Sequence, residues 1–304
     1  MATNDYYQKV LAAQTLGDDS PEMKELQANR AAVEKVLRAA FPGASATIRY
    51  GGSKAKGTLI RQSYDLDIVF YVPNGNNAAG ETLKDIFGNV KNALAKHYIV
   101  EPKTSALRLR TDQRFDLHID VVPGRFTDDS KTECFLHQEN GQKDRLKSNL
   151  DVHIAHIRDS GVVDTLRLLK LWRVRHAVQV KQFAFELLGV KLLKGKRQRP
   201  IEEQLVHFFT EIANAAQPIA IEDPANPAGN DLSELLRGAW ARLHMAAKVT
   251  LQQADASGWE RVFAAGERAK AAPSLLGVGS AAPAAGPLTF PNVPRVDDKP
   301  RGFG

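Results

Sequence analysis

The chain has one cysteine, Cys134, in 304 residues. An internal disulfide is therefore excluded, and a reducing, cytoplasmic setting is expected. Its apolar flanks make Cys134 read as a small core residue. No apolar run approaches the roughly 18 residues that a helix needs to span a bilayer. The start, Met1-Ala2-Thr3-Asn4-Asp5-Tyr6, has neither the basic nor the apolar character of an export signal. His153 and His156 have the three-residue spacing of a helical zinc pair, but no compact ligand set forms around them, even with His137 and Cys134, so they read as surface or loop histidines. Gly52 and Gly57 have the spacing of a phosphate-binding P-loop, yet Thr58 follows Gly57 where that motif requires lysine. No internal repeat is visible.

What remains is ordinary globular composition, 43% hydrophobic and 25% charged, with a net charge of +6. The positive balance favours acidic partners such as nucleotides or nucleic acid. Its densest cluster runs from Lys191 through Lys194, Lys196 and Arg197 to Arg199. It reads as a solvated helix end whose cations complement the carbonyl dipole, or as a grip on RNA or triphosphate.

The most informative stretch is Gly51-Gly52-Ser53-Lys54-Ala55-Lys56-Gly57-Thr58 followed by Tyr64-Asp65-Leu66-Asp67-Ile68-Val69-Phe70. In a strand, residues two apart share a face, so Asp65 and Asp67 project together while Leu66 and Ile68 enter the core. Two hard oxygen donors so placed suit divalent cations, and a glycine-serine turn offers backbone N–H groups to phosphate. A second alternating segment, Phe115-Asp116-Leu117-His118-Ile119-Asp120-Val121-Val122-Pro123, puts Asp116, His118 and Asp120 on one face. A neighbouring strand carrying Asp120, or Asp116 in its place, could bring a third carboxylate beside the first two, as a two-metal site requires. His118 either tunes that shell or bonds a neighbour on the strand face.

Ser20-Pro21 starts a long helix that ends near Phe41-Pro42-Gly43. Strands are expected over 47–50, 65–72 and 133–138, a helix over 81–97, and a hairpin from 105–111 and 114–122. Beyond residue 160 the pattern is helical only, over 162–178, 182–193, 201–215, 232–251 and 259–270. Trp172 lies in an apolar helix and reads as core. Residues 271–304 are rich in Ala, Pro and Gly and are expected to be flexible until bound. The expected organisation is thus a mixed α+β lobe over 1–159, a helical lobe over 160–270 facing it across a cleft, and a tail over 271–304.

The order Gly-Ser, Gly-Thr, Asp-x-Asp, then apolar-Asp-apolar-apolar-Pro resembles the DNA polymerase β-type nucleotidyltransferases. Within them it is most similar to the cGAS/DncV-like nucleotidyltransferases (CD-NTases) of bacterial CBASS anti-phage signalling and their relatives, the oligoadenylate synthases. Leu168-Leu169-Lys170-Leu171-Trp172, Phe183-Ala184-Phe185-Glu186-Leu187-Leu188 and the Asp223-Pro224-Ala225-Asn226-Pro227-Ala228-Gly229-Asn230 loop extend the likeness over residues 45 to 245. One departure is Gln182, where many relatives carry a serine that helps hold the triphosphate.

The resemblance implies a polymerase β-like sheet lobe packed on a helical lobe, and a cytoplasmic enzyme that makes a cyclic di- or trinucleotide second messenger from ATP or other nucleoside triphosphates with release of pyrophosphate. It implies two Mg²⁺ ions, or Mn²⁺, on Asp65, Asp67 and Asp120, and donor phosphates held by Gly52, Ser53 and Lys170. Lys170 otherwise reads as a helix lysine reaching solvent. Rival readings are a linear oligoadenylate synthase, a template-independent RNA-terminal transferase, and a non-catalytic RNA-binding module; an intact acidic triad argues against the last. Some CBASS synthases have a ubiquitin-transfer-like partner that conjugates the synthase's C-terminal residue. The resemblance makes Gly304 a candidate handle with Phe303 as its anchor, and a plain linker is the alternative.

Overall fold

The structure, a computed structural model, describes residues 4–110, 117–140, 143–227 and 232–264. Asp116, the end of the 223–230 loop and the tail with Phe303 and Gly304 lie outside the described residues. All described residues belong to one compact unit, Met1–Arg268. The chain order is α1 (Asn4–Gln14), α2 (Pro21–Ala40), β1 (Thr47–Tyr50), α3 (Gly52–Lys56), β2 (Leu66–Val72), α4 (Leu83–Leu94), β3 (Ile99–Pro102), β4 (Leu107–Arg110), β5 (Ile119–Phe126), β6 (Cys134–His137) and β7 (Arg145–Ser148). Helices alone follow: α5 (Leu150–Arg158), α6 (Val163–Arg175), α7 (Gln182–Leu193), α8 (Ile201–Asn214), α9 (Glu234–Arg237) and α10 (Trp240–Ala264).

The starts of two helices follow from their caps. Ser20 Oγ accepts from the Met23 amide and Pro21 opens α2, while Thr82 and Asp85 form a reciprocal capping box at α4. The strands form one sheet ordered β1-β2-β5-β4-β3, with β6 joined to β5 and β7 to β6. β2 and β5 run parallel in its centre. The neighbouring pairs are antiparallel. Leu66, Ile68, Ile119 and Val121 alternate into a core against α2 and α4, as the period-2 pattern requires.

A second core lies among the later helices. Trp172 is fully buried there with Phe185, Phe208 and Phe209, and its indole N–H donates to Thr250 Oγ1 at 2.9 Å. The first helix reaches this core as well, through Tyr7 and Leu11. The fold is α+β, a sheet with its helices next to a helical assembly. Three elements, α1, β3 and β7, lie outside those expected, and His153 and His156 fall on helix α5; Gly258 (φ 78°) breaks α10, in keeping with the two helices expected there. Among the described residues, no helix is long and apolar enough to cross a membrane.

Candidate active site

The parallel register sets Asp67 directly against Asp120. Asp65 stands two residues earlier, half-exposed, with its Oδ1 3.5 Å from His118 Nδ1. The segment read as a glycine-serine turn is a single helical turn, α3, capped at its end by Gly57 in the left-handed conformation. The Gly51 amide donates to the Asp67 carbonyl at 2.9 Å, tying the start of that turn to β2. Gly52 then passes over the Asp67 carboxylate with φ +53°, so closely that a Cβ there would lie 1.6 Å from Asp67 Oδ2. Only glycine fits this approach. Ser53, the next residue, is buried at the base of the same turn.

Burial, then the charges of Asp120 and Asp65, push the Asp67 carboxyl up to about 6, with Lys56 and Lys170 opposing. At Asp67 the repulsion thus outweighs the counter-charge around it, and hard carboxylate oxygens in that state suit a divalent cation. Asp120 differs from its neighbours. Arg108 on β4 lies opposite it and donates Nε to Oδ1 at 2.8 Å and Nη2 to Oδ2 at 2.7 Å. Among the described residues, no group of three or more His, Cys, Asp or Glu is arranged to hold a metal as it stands.

Lys170 does not reach solvent. It is 3% exposed within α6, and its Nζ donates to the Thr58 carbonyl at 3.4 Å. Burial brings its pKa down to about 8, against the pull of Glu186 and Asp65. The reading as a solvent-facing lysine fails because α6 packs Leu166, Leu168, Leu169, Leu171 and Trp172 into the core and carries Lys170 inward among them.

Beside it lies a buried network that sequence reasoning did not assemble. Glu186 of α7 pairs with Lys56 of α3 and accepts from Thr58 Oγ1 at 2.6 Å and Gln182 Nε2 at 3.1 Å. Burial pushes the Glu186 carboxyl up, but Lys56, Thr58 and Lys170 together outweigh it and hold the group below its ordinary value. Lys56 Nζ also sits 5.0 Å from the Phe183 ring centroid. This polar cluster bridges the sheet half of the chain to α6 and α7. Its one sequence signal was an acid, Glu186, inside the otherwise apolar α7, since a buried charge requires a partner. Gln182, at the position of the departure, thus supports Glu186, while its Oε1 is buried with no partner among the described residues.

The other candidates fall away from the acids. His153 lies on α5 and not in a loop; its Nε2 is 2.6 Å from Asp223 Oδ1, and Phe183 packs against its ring. Cys134 is buried, and burial pushes its thiol up to about 11. Lys191, Lys194 and Arg197 rim an outer groove of about 350 Å³ floored by Leu187, Val190 and Ile221. They extend from the end of α7 as a helix-end cation cluster does.

No family model matches the chain, and no curated protein does. Solved structures do. CdnC of E. coli MS115-1, solved with ATP, superposes with a TM-score of 0.63 at 17% identity over 86% of this chain and 98% of its own. The Bradyrhizobium diazoefficiens CD-NTase CdnG in complex with GTP gives 0.64 at 14% identity over 87% and 95%. Vibrio cholerae DncV cyclic AMP-GMP synthase, in complex with nonhydrolyzable GTP, gives 0.60 at 17% identity over 88% and 81%. The chain has the fold of the CD-NTases.

Proposed function

We propose that the protein joins nucleoside triphosphates into a cyclic di- or trinucleotide second messenger, releasing pyrophosphate, in anti-phage signalling. The observation that carries this reading is the convergence of Asp67 and Asp120 on paired central strands, under a glycine that admits no side chain, in a fold shared with the GTP-bound CD-NTase CdnG and the DncV cyclic AMP-GMP synthase. The division into a sheet lobe (1–159), a helical lobe (160–270) and a tail belongs to the same reading.

Asp65, Asp67 and Asp120 are the residues that would hold Mg²⁺ or Mn²⁺. Bound there, the metal supplies a lowered pKa for the acceptor hydroxyl and counter-charge for the leaving pyrophosphate. Ser53 and the backbone amides around Gly52 bind the donor phosphates. Asp120 orients the acceptor ribose hydroxyl and accepts its proton. Lys170 supplies positive charge from the helical side.

Incubation with labelled ATP and GTP, Mg²⁺ and no RNA should yield a small phosphatase-resistant product. A product that phosphatase degrades, or transfer only to an added RNA end, would favour the linear or RNA-terminal alternative. Asp65→Asn/Asp67→Asn protein is the blank for that assay.

Lys170→Met keeps the buried stem and removes the charge. It should weaken nucleotide affinity by about 1.5–3 kcal/mol, the worth of a charge-assisted bond. Because Lys170 loses its proton from about pH 8 upward, wild-type affinity should fall as pH rises through that value and the variant's should not. Isothermal titration with a nonhydrolysable ATP analogue at pH 7 and 9 measures both effects. Equal affinities for the two proteins at pH 7 would leave Lys170 as a packing residue alone.

A further inference from the structure

Arg108 has no part in the chemistry above, yet it makes the most complete polar contact in the site. Its fork engages both oxygens of Asp120, at 2.8 and 2.7 Å, across the β4–β5 register. Both side chains are largely shielded, at 26% and 17% exposure. A guanidinium cannot give up its proton here, so the positive charge beside Asp120 is permanent. Asp120 in turn lies opposite Asp67, and Asp65 stands two residues before Asp67, so this arginine is the fixed counter-charge in contact with one of the three candidate ligands. The lack of a ready-made metal cage among the described residues fits an Asp120 whose oxygens are already engaged.

We infer that Arg108 is a built-in counter-cation for these carboxylates, and that loading a divalent ion onto Asp120 is an exchange in which the guanidinium gives up at least one carboxylate oxygen. The inference rests on the proposed metal site. A fixed charge touching a ligand lowers the ligand's affinity for a second cation. A polyphosphate entering the site gives the displaced guanidinium a new anion. Metal and nucleotide therefore bind cooperatively, and Arg108 is a positioning residue that couples them.

Manganese titration followed by electron paramagnetic resonance on the full chain tests this. Without nucleotide, Arg108→Gln should bind Mn²⁺ about tenfold more tightly than wild type, while Arg108→Lys, which keeps the charge, should stay within about threefold. A nonhydrolysable ATP analogue should raise Mn²⁺ affinity strongly in wild type and weakly in Arg108→Gln. Unchanged or weaker Mn²⁺ binding by Arg108→Gln overturns the exchange. A wild-type measurement stands beside this should the variant not fold: the Arg108 Nε–H resonance should move on saturation with Mg²⁺ and analogue, and a fixed resonance overturns the inference equally. Failure of the metal site itself looks different, because Mn²⁺ binding would then survive in Asp65→Asn/Asp67→Asn protein.

Discussion

Metal-free Asp67→Asn protein should be more stable than wild type at pH 8, by about 1–2 kcal/mol, and should make no detectable product. In the folded chain Asp67 keeps its proton up to about pH 6, against an ordinary value of 3.8. Between those values the folded state holds more protons than the unfolded one, so stability falls as pH rises through the window and the whole penalty is present above it. The full shift corresponds to about 3 kcal/mol. We expect less, because Asp67 retains some contact with solvent, which screens its neighbours. Asparagine keeps the shape and removes the charge, so its advantage should vanish near pH 4, where aspartate is neutral in the folded state. Urea denaturation at pH 4 and pH 8 reads the difference. Mg²⁺ with a nucleotide analogue should stabilise wild type and leave the variant unmoved. A variant less stable than wild type at both pH values, or one that turns over, would contradict the placement of Asp67 among mutually repelling carboxylates.

The acids were legible in the sequence because strand alternation is a strict rule. Leu66 and Ile68 had to face the core, which left Asp67 on the opposite face. The second alternating segment offered Asp116 and Asp120 alike; the resemblance singled out Asp120, and the β2–β5 register sets it opposite Asp67. The partner of Asp120 was not legible in the same way. Arg108 reaches it only through the β4–β5 register, and no periodicity within either strand states which residues lie opposite each other.

Glu186 illustrates the reverse case. The signal was present, since α7 is apolar nearly all round and a charge inside such a helix goes inward with it, whereas α6 carries Asp164, Arg167, Arg173 and Arg175 besides Lys170 and did not single Lys170 out. The partners were distant in sequence, Lys56 lying 130 residues from Glu186, and pairing across that span is decided by how the sheet and the helices pack. The turn at Gly52 was recognised by composition, but its winding into α3 was not, because five residues are too few to show a period.

Gly52→Ala should be among the most damaging small substitutions in the chain. Two separate effects act. At φ +53° an L side chain costs about 1–2 kcal/mol wherever it sits. The new Cβ would also lie 1.6 Å from Asp67 Oδ2, 2.3 Å from Cγ and 2.8 Å from Cβ, so rotating the carboxylate alone does not relieve the contact. Either the α3 turn lifts from β2 and breaks the Gly51–Asp67 bond, or Asp67 is pushed off its place opposite Asp120. We expect a loss of about 2–4 kcal/mol in stability, within the range for overpacking combined with backbone strain. Activity should fall at least about 100-fold, since a displacement near 1 Å at a reacting group has that scale of effect. A double-mutant cycle separates the causes. In an Asp67→Ala background the carboxylate is gone and only the Cβ–Cβ contact and the strain remain, so the stability loss from Gly52→Ala should drop to about half. An equal loss in both backgrounds would mean that backbone strain acts alone and that the carboxylate does not need the space above it. A loss that shrinks with Asp67 would tie the glycine to the acid, and the turn to the position of the candidate metal ligands.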